Sequence, residues 1–104
     1  MHFVGCKLSY VNLRGAELVD VAFTDCTIEE LDLVNARLLR VSLPGTRVEH
    51  LNVRHSELRD VDLRGARLSA IDGVMELRGA VISAEQLTLL APLLADALGM
   101  TVES

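Results

Sequence analysis

From Phe3 onward a large apolar residue stands at every fifth position: Leu8, Leu13, Leu18, Phe23, Ile28, Leu33, Leu38, Leu43, Val48, Val53, Leu58, Leu63 and Leu68. Two residues before most of these comes something uncharged and mostly small, as at Cys6, Val11, Ala16, Cys26, Ala36 and Ala66. The residue between the two is nearly always polar, for example Asn12, Glu17, Asp32, Arg37, Asn52 and Glu57. A period of five suits neither standard element. On an α-helix five residues advance about 500°, so successive leucines build no stripe. On a flat strand an odd step sends every second one to the opposite face. The chain must therefore turn a corner once per repeat. A short extended piece aims residues i−2 and i inward and i−1 outward, and the remaining two make the corner, where Gly5, Gly15, Asp20, Asp25, Asn35, Gly45, Asp60 and Gly65 fall. The pattern predicts an all-β solenoid.

The outward charges indicate how many sides it has, because coils stack about 4.8 Å apart and like charges directly above one another repel. With four sides, residues twenty apart stack. Glu17, Arg37 and Glu57 then alternate in one ladder, Asp20, Arg40 and Asp60 in a second, and Phe3 lies over Phe23. Three sides would set Glu17 beside Asp32 instead. Two like pairs, Glu29 over Glu49 and Arg47 over Arg67, run against the four-sided arrangement, which is still the better fit.

Val11-Asn12-Leu13, Leu31-Asp32-Leu33, Val61-Asp62-Leu63, Ala16-Glu17-Leu18, Ala36-Arg37-Leu38 and Ala66-Arg67-Leu68 resemble the A-(D/N)-L-x-x unit of the pentapeptide-repeat family. The resemblance covers about the first four-fifths of the chain. It implies a right-handed quadrilateral β-helix.

The register breaks at Asp72-Gly73 and resumes one residue early, with Met75-Glu76-Leu77 and Ala80-Val81-Ile82 as two further units. That predicts about four coils over residues 1–83. Residues 84–104 form a helical cap in this reading. Ser83 is its N-cap, Gln86 completes a capping box and Gly99 is its terminator, while Pro92 should break it into two short helices or kink it. Leu87, Leu90, Leu94 and Leu98 make one apolar stripe, expected to cover the last coil. Leu89, Leu93 and Ala97 make a second, which with Met100 is expected to form a symmetric dimer contact. At the other end Met1 and Phe3 enter the repeat with nothing to cap them, which fits either the carboxy-terminal part of a longer repeat protein or an end that meets a partner or a second copy.

Composition narrows the function classes. The 104 residues carry a net charge of −5, two cysteines, no tryptophan and no apolar run long enough to span a membrane. No export signal is visible, so a cytoplasmic location is expected. Cys6 and Cys26 both occupy inward positions one coil apart and are expected as packed thiols. His50 should stack over Glu30, and no third group converges on it as a metal ligand. No catalytic motif is found, and no catalytic residue, metal site or cofactor is expected. The leading expectation is a non-enzymatic scaffold that binds another protein. The resemblance offers an alternative, because the quinolone-resistance members of the family are dimeric rods that mimic DNA and act on DNA gyrase. Residues 1–70 hold ten acidic and nine basic side chains, and residues 71–104 hold five and one, so the negative charge gathers at the helical end. Direct nucleic-acid binding is not expected, because Glu57, Asp60 and Asp62 are interleaved with Arg54, Arg59, Arg64 and Arg67.

Overall fold

The computed structural model describes residues 1–103. Strands β1 (His2–Val4), β3 (Glu17–Thr24), β5 (Arg37–Ser42), β7 (Glu57–Asp62) and β9 (Ala80–Val81) form one parallel sheet, and β2 (Lys7–Asn12), β4 (Thr27–Asp32), β6 (Arg47–Asn52) and β8 (Arg67–Asp72) form the other. Partners lie twenty residues apart, as in Leu8↔Ile28, Ile28↔Val48 and Val48↔Leu68. Each sheet folds over a corner, so two sheets make the four faces of a β-solenoid about four coils long. The molecule measures 44 × 24 × 23 Å.

Backbone geometry explains the corners. Gly5, Gly15, Gly45 and Gly65 have positive φ, and so do Asp20, Asp25, Asn35, Arg40, His55 and Asp60. All occupy the second position after an inward apolar residue. Asp and Asn accept this left-handed geometry better than other L-residues. The corner formed by Tyr10, Glu30, His50 and Ala70 is the exception, because none of these residues has positive φ. Bulky side chains can therefore stack along that one edge.

The interior is filled. Ile28, Val48, Leu51, Val53 and Val61 are at most 1 % exposed, and the lumen retains an apolar void of only about 20 Å3. Phe3 stacks on Phe23 with ring centroids 4.8 Å apart. Thr46, a polar residue in an inward position, donates to the Phe23 carbonyl at 2.6 Å and accepts from the Cys26 N–H at 3.2 Å. Cys6 and Cys26 are free thiols. The inward residues of the first coil, among them Phe3, Leu8 and Leu13, are only partly buried, with no strand above them among the described residues.

Three expectations for the last coil need correction. The unit at Met75-Glu76-Leu77 is not a strand, because Val74–Leu77 winds into a 3-10 turn. Gly73 starts it at φ 84°, and a β-carbon there would lie 2.8 Å from the Arg54 nitrogen, so no leucine can occupy that position. Val74 is buried, and Leu77 packs against the core cluster. The unit at Ala80 does return to the sheet, with Val61↔Ala80 and Asp62↔Val81 nineteen residues apart.

The second correction concerns one of the two outcomes expected at Pro92, since the cap is not broken into two short helices. Helix α1 (Ala84–Ala97) runs through Pro92 as one element. Pro92 removes one backbone donor, but both helix ends are well satisfied. Ser83 and Gln86 form the capping box, and the N–H groups of Gly99 and Met100 donate to the carbonyls of Asp96 and Ala95 in a Schellman motif. Third, the inward stripe of α1 is not Leu87, Leu90, Leu94 and Leu98. Leu90 alone is buried, while Leu87 and Leu98 are 51 % and 58 % exposed. The inward line runs Gln86, Leu90, Leu94 at intervals of four. Gln86 fixes it, because its amide donates to the Ala66 carbonyl at 3.0 Å and to that of Leu63.

Candidate interaction surface

Each outward column of the solenoid has its own electrostatic character. On the face of Leu18, Leu38 and Leu58, Arg37 lies between Glu17 at 3.9 Å and Glu57 at 3.8 Å, all well exposed. At the neighbouring corner Arg40 makes a two-pronged contact with Asp20, at 2.5 and 3.1 Å, which holds the Asp20 carboxyl below its usual range. Asp60, the expected third member of that ladder, has no ion-pair partner among the described residues. Exposed pairs of this kind contribute little individually. Arg37→Glu is accordingly expected to lower the melting temperature by a few degrees in dilute buffer. In about 1 M salt, where charges are screened beyond roughly 3 Å, the difference should vanish. Thermal melts at the two salt concentrations check this.

Asn12, Asp32, Asn52 and Asp72 stack on the next face. Oδ1 of the first three accepts the backbone N–H two residues on, from Arg14, Val34 and Arg54, each at 3.2 Å. Closing the corner in this way is the physical reason for Asp or Asn in the repeat unit. Asp32 is 3 % exposed. It accepts from Arg14 Nε at 2.5 Å and from the Tyr10 hydroxyl at 2.8 Å. Burial alone would raise its pKa, but these donors outweigh burial and hold it low.

One coil on, His50 bridges Glu30 (Nδ1 to Oε1, 3.0 Å) and Asp72 (Nε2 to Oδ2, 2.7 Å), while Arg54 approaches Asp72 at 3.6 Å. The hydrogen bonds to Glu30 and then to Asp72 raise the His50 pKa above its ordinary value. A raised native pKa stabilises the fold fully below the unfolded value of about 6.5, and the contribution disappears as pH rises through the native value. Wild-type protein should therefore lose more of its melting temperature between about pH 6 and pH 8 than His50→Gln. Equal slopes would show that the bridge carries no protonation-linked stability.

A third face carries Lys7, Thr27, Arg47 and Arg67. Arg47 stacks on Arg67, and none of the three cations has an ion-pair partner among the described residues. At the helical end the surface becomes apolar. Leu89 is 77 % exposed, Met100 60 % and Leu93 36 %, and Ala97 is exposed beside them. An open groove of about 610 Å3 separates α1 from the last coil. The exposure of Leu87 and the inward role of Gln86 were not anticipated. Gln86 already had a use in the capping box, and helical spacing alone gave no sign of its second one.

A parallel solenoid with four faces, a five-residue period and a helix at one end defines a class of repeat scaffold. Residues 2–38 match the family described as pentapeptide repeats, in eight copies, and the same spacing continues unbroken to Leu68. Over residues 2–38 the chain is thus similar to that family. No curated protein matches it. Among the described residues, no helix is long and apolar enough to cross a membrane.

Proposed function

We propose that this protein is a non-enzymatic scaffold that engages other proteins, as a homodimer and in the cytoplasm. The observation that carries the reading is where its surface is apolar. The solenoid interior is filled by its own side chains, whereas Leu89, Leu93, Ala97 and Met100 lie exposed together on and beyond α1. Burying them against a second copy would remove apolar area from water on both partners at once. The two free cysteines accord with a reducing compartment.

Light scattering coupled to size exclusion is the test. The expected mass is twice that of the chain, falling to one chain for Leu89→Asp/Leu93→Asp. A monomeric wild-type protein at micromolar concentration rules the dimer out. DNA mimicry with gyrase as target is the less favoured reading, because a DNA mimic presents acidic columns along its rod and one face here presents Lys7, Arg47 and Arg67. A supercoiling assay on gyrase separates the two readings: the scaffold reading expects no effect at stoichiometric protein.

A further inference from the structure

The two sheets end differently. One closes with β9 beneath β7, giving five strands, whereas the other stops at β8 after four. Among the described residues, the outer edge of β8 is paired with no strand. An open strand edge is a template for a further strand unless something covers it. Gln86 covers only its beginning, at the Ala66 carbonyl. Beyond that point lies the groove, with Leu68 and Ile82 on one side and Leu89, Leu90 and Leu93 on the other. Arg67 stands at its rim, and Glu85 lines the α1 side. Its volume of about 610 Å3 and its lining leucines suit an extended segment with one side chain pointing in.

The charge column above the groove defines what that segment should carry. Some stacked charges on the solenoid are compensated, as Arg37 is by Glu17 and Glu57 and Asp20 by Arg40. The column Lys7, Thr27, Arg47, Arg67 ends on two stacked guanidinium groups with no carboxylate in ion-pair reach among the described residues. A carboxylate in the next place down would relieve that repulsion, and an apolar side chain one residue later would continue the column of Leu8, Ile28, Val48 and Leu68.

We propose that the groove beside β8 binds an extended segment of a partner protein as a fifth parallel strand. An acidic residue would sit beneath Arg67, with an apolar residue immediately after it beneath Leu68. Backbone pairing would supply much of the affinity, and the acidic–apolar pair the selectivity. The inference rests on the scaffold reading and gives it a place and a partner chemistry.

Two fluorescein-labelled peptides test it, Thr-Glu-Leu-Thr-Asn-Val and the same sequence with Lys for Glu, titrated with the full chain and followed by anisotropy. The Glu peptide should bind about tenfold more tightly or better, since like-charge placement beneath Arg67 is strongly disfavoured. Arg67→Glu should reverse the order, and Arg67→Gln should abolish the difference. Amide exchange along residues 68–71 should slow when the Glu peptide is bound. The proposal is overturned by no binding of either peptide, by equal affinities, or by a preference that Arg67→Glu leaves unchanged. Size exclusion on the same samples reports the homodimer separately. If the chain dimerises and excludes both peptides, a second copy occupies the groove and the partner strand is refuted, while the scaffold reading survives.

Discussion

Ile28→Ala should destabilise the protein by about 3–4 kcal/mol, and Leu8→Ala, in the same column one coil earlier, by only about 1–2 kcal/mol. The two side chains are of similar size and are direct partners across β2 and β4. They differ in surroundings. Ile28 is 0 % exposed, with a coil above and a coil below, so truncation leaves a cavity that the stacked neighbours cannot close. Leu8 belongs to the uncovered first coil and is only partly buried, so its removal forfeits less contact and water can enter. Urea melts of the two variants decide the matter. Equal losses would mean that the first coil is as firmly packed as the second.

Gly79→Ala should cost about 3 kcal/mol or more, against about 1–2 kcal/mol for Gly15→Ala. Both glycines have positive φ, 91° and 68°, and so share the penalty for placing an L-residue there. At Gly15 a β-carbon meets nothing within 4 Å. At Gly79 it would overlap the Leu58 carbonyl oxygen, and that oxygen belongs to a strand backbone fixed by its neighbours. The chain leaves the 3-10 turn and re-enters the sheet at this point, so any shift would propagate into β9. Comparing the two variants by chemical denaturation separates the clash from the shared backbone term. A Gly79→Ala variant no less stable than Gly15→Ala would show that the last coil can yield.

The fold was legible because its five-residue period has a single mechanical solution, and corner residues such as Asp20 and Asn35 mark where the backbone turns. Less was legible where the period fails. Met75-Glu76-Leu77 matches the repeat in spelling, yet it follows Gly73 in a left-handed conformation pressed against Arg54, and tertiary crowding rather than local pattern sets its geometry. In α1 the leucines offered more than one possible inward stripe. The choice was made by a polar residue, since Gln86 had two carbonyls within reach, that of Ala66 and that of Leu63, which also accepts the Ala66 N–H. The link of His50 to Asp72 spans twenty-two residues, two beyond direct stacking, and direct stacking predicts only Glu30.

The uncovered first coil also gives the molecule a direction. Every ladder joins segments about twenty residues apart, so forming each coil closes a loop of the same modest length and can proceed one coil at a time once any two are in place. Loss of structure need not be symmetric. At the helical end Gln86 ties the helix to the last coil, and the capping box and Schellman motif hold the helix itself. At the opposite end Met1 reaches the second coil through its amine on the Asp20 carbonyl, and β1 has only three residues. Unravelling should therefore begin at β1 and travel toward α1, with the helix acting as the fixed end of a zipper.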